Sequence, residues 1–220
     1  MKDLTVIMLT PNLVPKKWAA FHKKKLLEAI GDTPLITVSA KPLDFGQNII
    51  QEGYGLSNIY KQMLRAAKIA KTPWIAMADD DTLYPKSHFE YRPKKEGYFY
   101  NLNRWHMFTW GEPIYFHKPW RGNGLLMATR ELVVKALENR FRDGDDLPLD
   151  ALHELGTRRN MLEKDIMGGE IFYSADPVMS FYHDDSFDPA IKSHNKRMFP
   201  LRAYDIPLWG RAEDLRKKFV

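Results

Sequence analysis

Five segments at the start of the chain alternate between two periods, and this alternation constrains the fold more than any other feature. Thr5 to Thr10 (TVIMLT) is β-branched and apolar, as a strand buried on both faces is. Lys16 to Ile30 reads as a helix, and Gly31 is placed to end it. Pro34 to Ala40 (PLITVSA) reads as a second strand, followed by a polar, turn-rich loop, KPLDFGQNIIQEGYG. Leu56, Ile59, Tyr60, Met63, Ala67 and Ala70 recur at helical spacing, so Leu56 to Ala70 is an expected helix. Thr72 and Pro73 break it, and the strand WIAMA comes next. Strand, helix, strand, helix, strand predicts an α/β fold with a parallel sheet.

Beyond residue 85 the pattern changes. GYFYNLNRWHMFTW and PIYFHK read as strands around a Trp-Gly-Glu-Pro turn. GLLMAT leads into a helix from Arg130 to Phe141, and the acidic loop RDGDDLPLD precedes a further helix through His153 and Glu163. EIFYSADPVMSFYH holds one or two strands, and the chain from Asp184 onward is polar and basic without a strong pattern. The expected architecture is one domain over residues 1–220. A mostly parallel central sheet is flanked by helices and joined by an antiparallel subregion in 86–185, with a basic tail in 186–220.

Composition narrows the function classes. With 220 residues, 44% hydrophobic and 28% charged, the chain reads as a globular protein of the water-soluble kind. Its net charge of +5 favours anionic ligands but is too small to establish nucleic-acid binding. The basic residues cluster at Lys16, Lys17 and Lys23 to Lys25, at Lys192, Lys196 and Arg197, and at Arg211, Arg216, Lys217 and Lys218. The absence of cysteine excludes disulfides, thiolate metal sites and cysteine nucleophiles. No stretch approaches the roughly 20 apolar residues of a membrane span. The opening run, broken by Pro11, lacks a cleavage pattern, so a cytoplasmic location is expected, that of the host if the chain is phage-encoded.

The chemical signal is PWIAMADDDTLYP, in which an apolar strand ends in Asp79, Asp80 and Asp81. Ligands of open α/β sheets bind at the carboxyl ends of the strands. Three adjacent carboxylates repel one another unless a cation neutralises them, and carboxylate oxygen suits Mg²⁺ or Mn²⁺. The spacing Asp79-x-Asp81 lets two side chains of one turn reach the same ion. The plainer alternative is a solvated turn.

The run Gly55-Leu-Ser57-Asn58-Ile-Tyr, then Ala66-Ala67, then Thr72-Pro-Trp-Ile-Ala-Met-Ala-Asp79-Asp-Asp81, ending in Tyr84-Pro85, resembles the nucleotide-sugar half of family 2-like glycosyltransferases of the GT-A fold. There a Gly-x-Ser-x-x-Asn-like helix start precedes an Ala-rich helix and a strand ending in the DxD metal motif. The resemblance covers residues 5 to 85, weakens from 86 to 185 and is absent after that.

It implies a GT-A-like domain that moves a sugar from a nucleoside-diphosphate sugar, a uridine diphosphate sugar foremost, to a hydroxyl acceptor with inversion. It further implies Mn²⁺ or Mg²⁺ at Asp79 and Asp81, with His183 as a third ligand and His194 as the fallback. The donor would meet Thr10, Pro11, Asn12, Ser39, Lys41, Asn58, Asp79 and Asp80. The family's Glu-Asp base motif is absent; Glu163 and Asp165 are its nearest counterparts, with Glu154 and Asp146 as alternatives. Gly122-Asn123-Gly124 would border the sugar, and Trp105, His106, Trp110 and Trp120 would form an acceptor platform or simply pack.

The acceptor stays open between a glycan, a small molecule and DNA carrying hydroxymethylated bases. Other classes stay open too. A nucleotidyltransferase would need a glycine-rich phosphate loop where TPNLVPKK has no glycine. A haloacid-dehalogenase-like phosphatase would need Thr or Val where Leu83 stands. A non-catalytic nucleic-acid-binding module would bind DNA with steep salt dependence and turn nothing over.

Overall fold

A computed structural model describes residues 3–148, 151–158, 162–186 and 198–220, without the side chains of 162 and 163. The Glu163 side chain, Lys192, His194, Lys196 and Arg197 therefore lie outside the described residues.

The amino-terminal third follows the alternation of its sequence. Strand β1 (Leu4–Thr10) leads to helix α1 (Lys16–Ile30), β2 (Leu35–Ser39), β3 (Gln47–Ile50), α2 (Leu56–Ile69) and β4 (Trp74–Asp79). Strand β5 (Thr82–Leu83), helix α3 (Lys86–Glu90) and strands β6 (Tyr98–Asn101), β7 (Arg104–Phe108) and β8 (Tyr115–His117) come next. Strand β9 (Leu126–Thr129) runs into α4 (Arg130–Arg140), followed by the short α5 (Leu162–Asp165), β10 (Gly169–Phe172) and β11 (Val178–Tyr182). The chain closes with β12 (Arg202–Ala203), β13 (Asp205–Ile206), β14 (Gly210–Arg211) and α6 (Ala212–Phe219).

Seven strands form the main sheet, in the order β10-β6-β9-β4-β1-β2-β3. Strands β1 to β4 pair in parallel, β9 runs antiparallel to β4 and β6, and β6 pairs in parallel with β10. Side chains alternate across such a sheet. Ile7, Ile75 and Met77 accordingly pack under α2 and α4 with Tyr60, Met63 and Val133. Val6, Met8, Ala76 and Ala78 pack under α1 and α3 with Leu26, Ile30 and Phe89. Burial on both faces is why these strands carry continuous apolar runs rather than alternating ones. The expected fold class, an α/β domain with a large, mostly parallel sheet flanked by helices, is the one the chain has.

A second sheet, β12-β8-β7-β11-β5, is the expected antiparallel subregion with one exception: β7 and β11 pair in parallel. Strand β5 follows the aspartates directly and joins this sheet, so the triplet sits at the seam between the two sheets.

Three expectations change. Strand β3 lies inside the stretch read as loop, at an edge of the main sheet with an exposed, polar-leaning face. The helix expected through His153 is replaced over 151–158 by turns. The carboxyl-terminal segment is not merely a basic tail. Helix α6 buries Ala212, Leu215 and Phe219 beneath the second sheet, where Phe219 meets Trp18 at 4.8 Å between ring centres, while Arg216, Lys217 and Lys218 keep to its outer side. Among the described residues, no helix is long and apolar enough to cross a membrane.

Candidate active site

The aspartate turn is built from below by α1. That helix buries Trp18, His22, Leu26 and Ala29 on one stripe. Two of these residues, one turn apart, grip the backbone on either side of Asp81. Trp18 Nε1 donates to the Asp80 carbonyl at 2.7 Å, and His22 Nε2 donates to the Thr82 carbonyl at 3.0 Å. Burial pushes the His22 pKa down to about 4, so it remains a neutral strut in the physiological range. The second sheet adds a third hold, Phe181 N–H on the Asp81 carbonyl at 2.9 Å. The backbone of the turn is thus fixed by bonds that do not involve the three carboxylates.

Each carboxylate has a different neighbour. The Asp79 backbone N–H donates to Tyr84 Oη, whose hydroxyl donates to the Gly124 carbonyl, both at 2.9 Å. A Cβ at position 124 would overlap the Asp79 carboxylate, so only glycine lets the β8–β9 loop lie against it. Asp80 accepts a short hydrogen bond from the Thr10 hydroxyl at the end of β1. Asp81 accepts from Thr82 Oγ1 at 2.9 Å and has His183 Nε2 3.8 Å away.

The electrostatics are those of a site short of positive charge. The three carboxylates are set deep among protein atoms but keep some solvent contact; the Asp81 side chain is 23% exposed. Desolvation, then the charge of Asp81, pushes Asp79 and Asp80 up to about 7; Arg104 opposes this at Asp79 and the Thr10 hydroxyl at Asp80. Asp81 is raised by the same desolvation, against the pull of His183. His183 is lowered by its own burial, which leaves the neutral imidazole that metal ligation needs.

Among the described residues, no group of three or more His, Asp or Glu side chains converges to enclose a metal ion. The donor set that exists, two carboxylates with an imidazole beside one of them, fits a hard ion that keeps several waters and shares its remaining positions with substrate phosphate. Mg²⁺ and Mn²⁺ bind in that way.

A cavity of about 360 Å³ opens beside the turn between β1, β2 and α1. It gathers Thr10, Asn12, Lys41 and Asp80, four of the residues expected to meet the donor, together with His22 and Lys16. Pro11 is exposed and does not line it. Asn12, with a φ of 57°, spans the two strand ends: its Oδ1 accepts from Lys41 N–H at 2.8 Å. Ser39 is wholly buried, donates to the Lys41 carbonyl and accepts from Asn48 Nδ2. It does not line the cavity and faces no ligand there; its bonds tie the Lys41 loop to β3. Asn58 donates to the Gly53 carbonyl at 2.8 Å and accepts from Gln62, fastening the loop before α2 away from this cavity.

Asp165 is not brought to the site. Its carboxylate, 0% exposed, takes Nε and Nη2 of the equally buried Arg140 at 2.7 Å each, and the Gly156 N–H at 2.6 Å. A carboxylate sealed from solvent and locked to a guanidinium cannot take a proton from an acceptor, so Asp165 as the general base is corrected to a structural ion pair. Trp18, His22, Tyr84 and Arg104 are the site residues that sequence reasoning missed. For the first two, the i, i+4 spacing of polar-capable rings on an otherwise basic helix was the available signal.

No protein-family model matches the sequence, and no curated protein matches it. Among solved structures, a 2-C-methyl-D-erythritol 4-phosphate cytidylyltransferase from Thermus thermophilus aligns with a TM-score of 0.50 at 12% identity, over 81% of this chain and 93% of that one. The inositol-1-phosphate CTP transferase from T. maritima aligns with a TM-score of 0.51 at 10% identity, over 86% of this chain and 93% of that one. A glycosyltransferase involved in glycosylation of the major capsid of PBCV-1 aligns at 0.42 and 13% identity, over 77% of this chain and 82% of that one, too distantly to carry an argument. The chain shares the α/β fold of the cytidylyltransferase and the CTP transferase over most of its length, and at such identities the likeness is one of fold.

Proposed function

We propose that the chain is a metal-dependent glycosyltransferase of the GT-A type, moving a sugar from a nucleoside-diphosphate sugar to a hydroxyl acceptor with inversion. One observation carries the reading: three partly buried carboxylates without an adequate counter-charge sit at the carboxyl end of β4, at the rim of a cavity large enough for a nucleoside. The 55–85 sequence pattern agrees with it.

In this reading the nucleoside occupies the cavity beside Thr10, Asn12 and Lys41, and the diphosphate lies over the aspartate turn. Asp79, Asp81 and His183 hold the divalent ion, which supplies the charge that makes a nucleoside diphosphate a good leaving group. The acceptor oxygen bonds to the anomeric carbon as the carbon–oxygen bond to the diphosphate breaks, and the electron pair leaves with the diphosphate. The hydroxyl proton passes to a base, for which Glu163 stands on the sequence alone. Trp18, His22 and the Phe181 amide keep the turn rigid, so the carboxylates need not reorganise during transfer.

The experiment is a thermal-shift screen of nucleotide sugars with and without Mn²⁺, followed by product analysis. A nucleotide sugar should raise Tm only with Mn²⁺, and Asp81→Ala should remove both that rise and transfer while the protein stays folded. Equal stabilisation without metal would sink the reading.

A second reading, nucleotidyl transfer, draws support from the fold shared with the two cytidine-nucleotide enzymes. Products separate the two: it predicts pyrophosphate from a nucleoside triphosphate and a sugar phosphate, where glycosyl transfer releases a nucleoside diphosphate. Missing glycine in TPNLVPKK counts against it.

A further inference from the structure

The loop from β8 to β9 carries a second constellation, which shares Arg104 with the aspartate turn. Lys118 Nζ donates to Tyr182 Oη at 2.5 Å and lies 4.5 Å from the ring centre of Trp120, 5.0 Å from that of Tyr182 and 6.0 Å from that of Phe199. Trp120 is 57% exposed and meets Phe199 edge-on at 5.4 Å. A largely exposed indole thus stands beside a half-buried ammonium.

A second cation lies next to the first. Lys118 N–H donates to the Arg104 carbonyl at 3.0 Å. The Arg104 guanidinium bonds Ser180 Oγ through Nε at 3.2 Å and lies under Gly122, where a Cβ would stand 2.7 Å from Nη1. Among the described residues neither cation has a carboxylate at ion-pair distance, although the Arg104 charge is felt at Asp79 and Asp81. Burial, and secondly Arg104, lower the Lys118 pKa to about 8. Two like charges held together in partial burial cost stability until an anion joins them.

The same loop ends at Gly124 against Asp79, and Ser180 bridges Arg104 to Thr82, whose hydroxyl reaches Asp81. The cation pair is therefore contiguous with the aspartate turn and does not belong to the lining of the Thr10–Lys41 cavity.

We propose that this is the acceptor subsite and that it takes a phosphorylated monosaccharide, the phosphate between Lys118 and Arg104 and the apolar face of the ring on Trp120. Two cations and one ring face match one phosphate and one sugar. A polynucleotide would call for a long stripe of cations; beside the pair the described residues add Arg202, whose Nε donates to the Phe199 carbonyl, while Arg121 in the same loop is turned to the Gly169 carbonyl. The inference rests on the transferase reading.

The test is calorimetric titration of the full chain with glucose 6-phosphate, glucose and a hydroxymethylated single-stranded oligonucleotide, in wild type, Lys118→Met and Trp120→Ala. Glucose 6-phosphate should bind at least about tenfold more tightly than glucose, and Lys118→Met should remove about tenfold of that affinity. Trp120→Ala should weaken glucose 6-phosphate about fivefold. Lys118→Arg, which keeps the charge, should retain most of the binding. Equal affinity for glucose and its phosphate, indifference to both variants, or binding of the oligonucleotide alone would each overturn the assignment. So would loss in Lys118→Met of the Mn²⁺-dependent response to a nucleotide sugar, since the anion site would then belong to the donor. A wild-type chain that binds glucose 6-phosphate but responds to no nucleotide would instead remove the transferase reading and leave the anion subsite standing.

Discussion

Two carboxylate sites on the same domain have been built in opposite ways. Asp165 lies at 0% exposure, yet both its oxygens face Arg140 nitrogens and a backbone amide supplies a further bond. Asp79, Asp80 and Asp81 keep some contact with water, yet three carboxylates share one imidazole at 3.8 Å and a more distant guanidinium. Sequence offers both as acidic residues near a turn. Only packing separates them: a fully compensated charge is masonry, and an under-compensated one at the end of a strand is a place for something to bind.

The comparison can be broken at either end. The largest effect is expected at the compensated site. Arg140→Met strands a buried carboxylate and should cost about 3–5 kcal/mol of unfolding free energy, read from denaturant curves. Restoring most of that loss in the double change Arg140→Met/Asp165→Leu would show that charge, not shape, was at stake. An unchanged midpoint in the single variant would mean the pair is not what holds this region.

Gly124→Ala should come next, since its methyl would overlap the Asp79 carboxylate. An overpacked contact of this kind costs about 1–3 kcal/mol, taken either from stability or from the position of Asp79. Transfer activity should fall while Arg140 and Asp165 remain undisturbed.

The smallest effect has the opposite sign. Asp79→Asn should stabilise the metal-free protein by about 1–2 kcal/mol at pH 8. Its folded pKa of about 7 lies above the unfolded value near 3.8, so the folded state holds a proton that the unfolded state gives up. The cost of ionising Asp79 is absent below the unfolded pKa, grows as pH rises from about 4 to 7, and is constant above. The advantage of the variant should follow that window and vanish at pH 3.5.

Much of this was legible in the sequence because the relevant physics is local. The β1-α1-β2-α2-β4 frame shows in its apolar periods, and the helix Lys16–Ile30 ends at Gly31 as its sequence predicts. Strand β3 did not show, because Gln47–Ile50 is an edge strand whose polar residues look like loop. Helix α6 was hidden by Arg216, Lys217 and Lys218, although Ala212, Leu215 and Phe219 mark its buried stripe. At the site, the residues on the strand end could be named from sequence, and Thr10, Asn12, Lys41 and Asp80 do meet around one cavity. The rest depended on contacts across the chain. Trp18 and His22 act on backbone carbonyls some sixty residues away, with separations of 62 and 60. Arg140 finds Asp165 across 25 residues. No period or motif encodes such pairings.

In the proposed reading the aspartate turn takes a divalent cation. Mn²⁺ titration followed by electron paramagnetic resonance tests this most directly, on wild type, Asp79→Asn and Asp165→Asn, with and without uridine diphosphate. Wild type should bind one ion, more tightly when the diphosphate is present, because ion and phosphate complete each other's coordination. Asp79→Asn should lose that binding. Asp165→Asn, in so far as it remains folded by circular dichroism, should keep it. Absence of saturable Mn²⁺ binding in the wild type at pH 8 with the diphosphate present, or equal binding in Asp79→Asn, would contradict the account.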